Sequence, residues 1–242
     1  MSHNSVYRGA NIGTISSLNE YIALRSAHGI DDKSYTDLYL GDYFKIQDGT
    51  YNAVWMVAHF DYYYNKGDAE NARGVVLIPR TTCGRSKMND TADATGAYAA
   101  TIAHNTTCPA IASAISTVLG SYLLSNKLML TNTINATIPS MMGANNQGAS
   151  TNWTWYSSQC DLPNEVQIYG SMVCSSSLFD VGIECEKLAV FNFINHVEYS
   201  RSTFWLRAVA HSGAFACGTY YGGAGMSSAT TDYLLRPLIY IG

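Results

Sequence analysis

Chemistry of the recognition kind is concentrated near the C-terminus, in residues 211–231, HSGAFACGTYYGGAGMSSATT. This run supplies an imidazole (His211), hydroxyls (Ser212, Thr219, Ser228, Thr230), two adjacent tyrosines (Tyr220, Tyr221) and a thioether (Met226), and Asp232 follows it directly. Five glycines lie between these groups. Broad aromatic faces and adaptable polar groups, carried on loops that a rigid scaffold holds up, suit non-covalent contact with a ligand. The nine residues named form the candidate ligand-binding set, and His211, Ser212, Tyr220 and Tyr221 are expected to lie together on one exposed face. The plainer alternative is a solvated turn region without a binding role.

Reactive chemistry has far less to stand on. The six histidines (His3, His28, His59, His104, His196, His211) show neither H-x-x-x-H nor H-E-x-x-H spacing, which a histidine metal site on one helix face would need. No G-x-S-x-G nucleophile elbow occurs. The six cysteines (Cys83, Cys108, Cys160, Cys174, Cys185, Cys217) contain no C-x-x-C pair, so they read as buried thiols and not as a zinc or redox motif. Glycoside cleavage needs two converging carboxylates, and Asp42, Asp61, Asp161, Glu165 and Asp180 are the acids that would have to meet. Solvated acids, or acids paired with arginine, are the commoner case. The expectation is a protein without catalytic residues, metal or cofactor, with glycan hydrolysis as a distant alternative.

Bulk properties narrow the partners. At 242 residues the chain is long enough for one sizeable core. Charged residues make up 13%, against about 25% in an ordinary domain, so the surface must be built from Ser, Thr, Asn, Gly and Tyr. The fourteen Lys and Arg are scattered singly on a chain of net charge −4, which leaves no basic stripe for a phosphate backbone and argues against nucleic acid. No apolar run reaches 18 residues, and the first thirty residues lack a charged segment followed by an apolar one. Neither membrane insertion nor a signal peptide is expected.

The elements that would position these groups read as follows. Ser17-Leu18-Asn19-Glu20 has capping-box spacing and opens a short helix ending near Gly29. Residues 39–49 and 51–64 read as a hairpin turning at Asp48-Gly49, and residues 74–79 as an apolar strand. A polar excursion covers 80–107. Thr107-Cys108-Pro109 then begins a helix with Ile111, Ile115, Val118 and Leu119 on one face, ending near Gly120. Residues 131–152 read as an exposed loop, 166–173 as a strand, and 187–194 as a second short helix. The end of the chain reads as strands at 204–209 and 214–221, a glycine turn at 222–225, and a closing strand at 233–242. Arg207 and Arg236 fall inside apolar strands, so each is expected to find a carboxylate or carbonyl partner. Pro237 points to an edge or bulged position.

Phe204-Trp205-Leu206-Arg207, a glycine-rich loop, and Leu235-Arg236-Pro237-Leu238-Ile239 resemble the ending of a widespread domain of formylglycine-generating-enzyme-like, C-type-lectin-like fold, abundant in phages and prophages of gut bacteria. Leu40-Gly41-Asp42-Tyr43, His59-Phe60-Asp61-Tyr62-Tyr63 and Leu162-Pro163-Asn164-Glu165 followed by Tyr169-Gly170 resemble upstream parts of the same group, in the same order. Leu234-Leu235 stands where the group usually has Gly-Val before Arg-Pro, so the final turn is expected to differ. The resemblance implies an α+β, C-type-lectin-like domain over 38–242: twisted antiparallel sheets whose N- and C-terminal strands pair, two flanking helices, and long loops on one face. Residues 1–37 would be an N-terminal arm with a short helix, used for attachment or oligomerisation; a helix packed on its own domain is the alternative. Oxidation by the formylglycine-generating relatives needs two reactive cysteines near the C-terminal sheet, where only Cys217 and at best Cys185 are on offer, so that activity is expected to be absent.

Relatives include the phage major tropism determinant, and by that likeness the chain is expected to be a bacteriophage virion protein. The role implied is a receptor-binding tip of a tail fibre or baseplate, contacting a host cell-surface protein or glycan through its C-terminal loops and other virion proteins through the arm. A homotrimer is the habit of the group. A head fibre or capsid-decoration protein without receptor contact is the alternative.

Overall fold

The computed structural model describes residues 3–66, 70–134, 150–175 and 186–242. Strand β1 (Asn11–Ile15) leads into helix α1 (Leu18–Ala27). The hydroxyl of Ser17 accepts the Glu20 N–H, while the Glu20 carboxylate accepts the Ser16 N–H at 2.6 Å and the Ser16 hydroxyl at 2.9 Å. The reciprocal arm of the cap thus lands one residue ahead of the expected position, and the start of the helix is still satisfied. Strands β2 (Tyr43–Ile46) and β3 (Val54–Phe60) form the expected antiparallel hairpin. Its turn is built on Asp48, whose Oδ1 accepts the N–H groups of Thr50, Tyr51 and Asn52 at 2.8, 2.7 and 3.2 Å.

Strand β4 (Val75–Pro79) follows, then the two-residue β5 (Arg85–Ser86) within the polar excursion. A π-helical turn over Ala103–Thr107 runs directly into α2 (Cys108–Leu119), which buries Ile111, Ile115, Val118 and Leu119 as the spacing predicts. Next come β6 (Asn126–Ile134), β7 (Ser150–Ser158) and β8 (Cys160–Asp161), the short helix α3 (Glu165–Tyr169), and a 3₁₀ turn over Ala189–Asn192. The chain closes with β9 (Phe204–His211), β10 (Ala214–Gly218), β11 (Ala224–Ser228), β12 (Tyr233–Leu234) and β13 (Leu238–Ile241).

The architecture is α+β and dominated by open sheets. One sheet has the order β1-β2-β3-β4-β13-β8, a second β11-β10-β9-β12-β5, and β6 and β7 form a separate ribbon. Most pairs are antiparallel, and β1·β2 and β9·β12 are parallel. All residues of β4 and β13 are buried, as are all but the last of β9, so these strands are covered on both faces. Trp55 and Trp205 are the largest fully buried apolar side chains among the described residues, followed by Tyr21, Tyr35, Tyr62, Tyr98 and Tyr240. Helices α1 and α2 pack on each other, and Tyr21 of α1 is buried. No helix among the described residues is long and apolar enough to cross a membrane.

Several expectations need correction. Residues 166–173 do not form a strand. Asn164 caps α3 with its side chain on the Gln167 N–H, Gln167 returns the bond to the Asn164 N–H, and Gly170 ends the helix at φ +84°. This local cap outweighs the apolar, β-like composition of the segment. The expected loop over 131–152 is strand at both ends, in β6 and β7, and its centre lies outside the described residues. The second helix at 187–194 is only the 3₁₀ turn.

The closing stretch 233–242 is two strands in two different sheets, because Leu235-Arg236-Pro237 carries the chain across from β12 to β13. The last strand pairs with β4 and β8 and not with the first strand, which sits at the far edge of the six-stranded sheet.

Residues 1–37 are not set apart from 38–242. Strand β1 pairs with β2, and Ile15, Tyr21, Leu24, Ile30 and Tyr35 belong to the common core. Arg8 forks onto the buried Asp42 carboxylate with Nε at 3.0 Å and Nη2 at 2.8 Å, tying the N-terminal segment to the Leu40-Gly41-Asp42-Tyr43 stretch.

Candidate functional site

The turn between β10 and β11 is fixed from inside the protein. One acceptor, the carbonyl oxygen of Gly223, receives the Thr219 N–H at 2.9 Å, the Thr219 hydroxyl at 2.8 Å and the Tyr169 hydroxyl at 3.1 Å. The Gly222 N–H closes the turn onto the Thr219 carbonyl at 3.1 Å, and Gly222 takes φ +98°, a conformation that L side chains rarely adopt. Thr219 is therefore a buried tie, 7% exposed.

Tyr220 and Tyr221 stand outward from this tied backbone, 57% and 65% exposed, with ring centroids 4.8 Å apart and planes at 78°. Edge-to-face packing of the two rings limits their motion and leaves their outer faces to solvent.

Beside Tyr220 opens a groove of about 290 Å³. Besides Tyr220, its lining comes from β5, β12 and the residues leading into β9: Arg85, Asp232, Tyr233 and Leu234, then Arg201, Ser202 and Thr203. Pairing of Leu234 with both Arg85 and Phe204 brings these stretches together, and the Trp205 indole N–H locks the junction by donating to the Ser86 carbonyl at 2.9 Å. Arg85 holds Asp232 twice, Nε to Oδ2 at 3.0 Å and Nη2 to the backbone carbonyl at 3.0 Å. Arg201 is exposed and has no hydrogen-bond or ion-pair partner among the described residues.

The expected cluster of His211 and Ser212 with the tyrosines does not form. His211 and Ser212 lie at the β9–β10 turn and Tyr220 and Tyr221 at the β10–β11 turn, so the whole of β10 separates them, roughly 16 Å at about 3.3 Å per residue. Ser228 and Thr230 share the His211 end: Ala214 pairs with both His211 and Ser228, and the Ser228 and Thr230 hydroxyls meet at 2.9 Å. Met226 pairs with Ala216 in mid-strand and packs against the core. Of the nine candidates, Tyr220 and Asp232 line the groove and Tyr221 adjoins it. Sequence reasoning missed Arg85, Arg201, Ser202, Thr203 and Tyr233, because nothing in the local pattern marks residues brought together across 147 positions.

Four of the five acids considered for hydrolysis lie among the described residues, and these four are engaged by different donors. Asp42 is held by Arg8 and by the N–H groups of Ala10 and Tyr39, and Asp61 by Tyr35, Arg73 and the Gly74 N–H. Asp161 Oδ1 accepts the Tyr98 hydroxyl at 2.8 Å and faces His104 Nδ1 at 2.8 Å, deep in the protein. Glu165 accepts the N–H groups of Val173, Cys174 and Ser175. Asp180 and Cys185 lie outside the described residues. Cys217 is buried in β10, and burial pushes its thiol up to about 12, which disfavours the thiolate an oxidation would need. Among the described residues no group of three His, Cys, Asp or Glu is placed to hold a metal ion. No protein-family model, no curated protein and no solved structure matches the chain.

Proposed function

We propose that this chain is a bacteriophage virion protein of C-type-lectin-like fold, and that its β10–β11 turn and the adjoining groove contact a host surface protein or glycan. The observation that carries this reading is the turn itself. Two tyrosines are held out edge-to-face on a backbone tied by three donors at one oxygen. A contact surface ordered before binding loses less conformational entropy on binding, and tyrosine gives large area for two side-chain torsions. Two broad rings standing together, 57% and 65% exposed, give a partner a large and rigid contact area.

The role proposed is one of binding and not of catalysis; the described acids Asp42, Asp61, Asp161 and Glu165 are each occupied by local donors. Attachment to other virion proteins or to sister subunits in a homotrimer is assigned to the N-terminal segment, where Leu18 and Ile22 form an exposed i, i+4 apolar pair on α1. Light scattering at micromolar concentration checks the trimer, and a monomer would remove it.

Adsorption of fluorescently labelled protein to host bacteria tests the main reading. Tyr220→Ala together with Tyr221→Ala should abolish adsorption while the melting temperature stays within about 2 °C, since exposed substitutions cost little, usually within about 0.5 kcal/mol. Undiminished adsorption by the double variant would remove the turn from the contact.

A further inference from the structure

We infer that the groove beside Tyr220 takes a sugar acid: the carboxylate-bearing unit of an acidic surface polysaccharide. This deepens the receptor-contact reading above and rests on it. The volume of about 290 Å³ lies just under the range of ligand pockets, roughly 300 to 1,000 Å³. That suits a single sugar ring with its substituents better than a folded segment of a partner protein.

Charge selects the ligand class. Two guanidinium groups and one carboxylate line the groove, Arg85 and Arg201 against Asp232. Arg85 is spent on Asp232 through two hydrogen bonds, so the fixed pair contributes no net charge. Arg201 remains, exposed and without a partner among the described residues. A single uncommitted planar fork matches a singly charged, planar carboxylate, which it can hold bidentately. A phosphate dianion would bring a second negative charge into a groove already lined by the Asp232 carboxylate.

The rest of the lining suits a sugar ring. Tyr220 offers an exposed aromatic face for the apolar face of a pyranose. Ser202 and Thr203 follow Arg201 directly and line the same groove, with the Ser202 hydroxyl accepting from the Ser200 hydroxyl at 3.1 Å. Asp232 uses only Oδ2 and its backbone carbonyl on Arg85, so Oδ1 is left to accept from ring hydroxyls.

Calorimetric titration of the full chain with a panel of uronic-acid and sialylated oligosaccharides, their carboxyl-reduced neutral counterparts, and sulfated and phosphorylated analogues tests this. The acidic sugars should bind at least tenfold more tightly than the reduced forms, and the preference should shrink as salt is raised. Arg201→Gln should remove that preference with an unchanged melting temperature, Arg201→Lys should retain part of it, and Tyr220→Ala should weaken acidic and neutral sugars alike. Equal binding of acidic and reduced sugars, or a preference for the phosphorylated analogue, overturns the inference. So does failure of every sugar in a protein that still adsorbs to host cells through its tyrosines, and the receptor reading then stands. Failure of every sugar together with adsorption indifferent to the tyrosines removes both.

Discussion

Arg236 grips the backbone carbonyl of Pro79 with two donors of one guanidinium, Nε at 3.1 Å and Nη2 at 2.9 Å. Its third donor, Nη1, reaches the carbonyl of His196. The side chain is 2% exposed, and burial alone lowers its pKa to about 10, so it stays charged at neutral pH. These bonds hold the crossing between β12 and β13 against the end of β4 and against the segment that leads to the groove. Arg236 thereby couples the two main sheets at the point where one strand would otherwise have continued.

Arg236→Met keeps the length and apolar bulk of the side chain and leaves two buried carbonyls without donors. Hydrogen bonds to a charged group contribute about 1.5–3 kcal/mol each, and an unsatisfied buried acceptor costs a comparable amount. Loss of roughly 2–4 kcal/mol of unfolding free energy is expected, with Arg236→Lys in between because an ammonium cannot fork. Urea denaturation followed by tryptophan fluorescence measures it, and an unshifted midpoint would show that the crossing is held by packing alone.

Glu165 is a buried carboxylate that organises the segment after α3 by accepting three successive N–H groups: Val173 at 3.1 Å, Cys174 at 2.9 Å and Ser175 at 3.0 Å. The Ser175 hydroxyl adds a fourth bond at 2.5 Å. Glu165→Gln keeps the shape but turns an N–H₂ group towards donors. A loss of about 2–3 kcal/mol is expected, by the same reasoning about charged acceptors. Amide exchange at residues 173–175 should accelerate before that of the β9–β10 pair does, and uniform acceleration throughout would mean that Glu165 serves the whole core and not this segment.

Legibility from sequence followed the range of the interaction involved. Helices α1 and α2, the β2–β3 hairpin and its Asp48 turn rest on contacts within a few residues, and their capping, spacing and turn signals could be read directly. The carbonyl partners of Arg236 were legible too, because a guanidinium in an apolar strand must find partners, and Arg207 is likewise buried. The 166–173 segment was misread because its apolar composition masked an Asn164–Gln167 cap. The closing stretch was misread because periodicity does not reveal a chain that changes sheets, although Pro237 marked the break. Half of the site was visible as the tyrosine pair. The groove was not, since Arg85 and Arg201 meet Tyr220 only through the pairing of β5, β9 and β12.

Thr219 tests whether the tyrosine turn works by being ordered in advance. Thr219→Val keeps the branched volume and removes the hydroxyl that donates to the Gly223 carbonyl at 2.8 Å; Tyr169→Phe removes the second side-chain donor at 3.1 Å. Neither side chain needs to touch the ligand. Each hydrogen bond should contribute about 1 kcal/mol to stability. The double variant should also weaken adsorption to host cells several-fold, with amide exchange at residues 220–223 raised in step. Weakened adsorption without faster exchange would mean that these residues contact the ligand directly.

Two buried histidines make stability depend on pH in a predictable direction. Burial lowers the pKa of His59 to about 4, and the ring sits edge-on to Tyr62 with Nδ1 accepting the Ala189 N–H at 3.0 Å, so protonation at Nδ1 would break a bond. Glu186, 3.9 Å from Nε2, and Asp61 oppose that shift, and Lys66 adds to it. His196 is likewise lowered to about 4, chiefly by burial and further by Arg236, with Tyr169 and Phe204 packed edge-on and the Thr219 carbonyl 3.4 Å from Nε2. In the unfolded chain both return to about 6.5. Above that value neither state carries the proton and the stability is complete. As pH falls from about 6.5 towards 4, the unfolded chain takes up protons that the native state refuses, so stability drops by up to about 1.4 kcal/mol per pH unit for each histidine. Over the whole window the loss is on the order of 3 kcal/mol per histidine. His59→Asn, which keeps an acceptor for Ala189, and His196→Gln, which keeps a donor for Thr219, should each flatten the curve of urea midpoint against pH between 6.5 and 4 while leaving it unaltered in slope above pH 7. A double variant that loses stability as steeply as the parent across that window would place the acid sensitivity in the carboxylates instead.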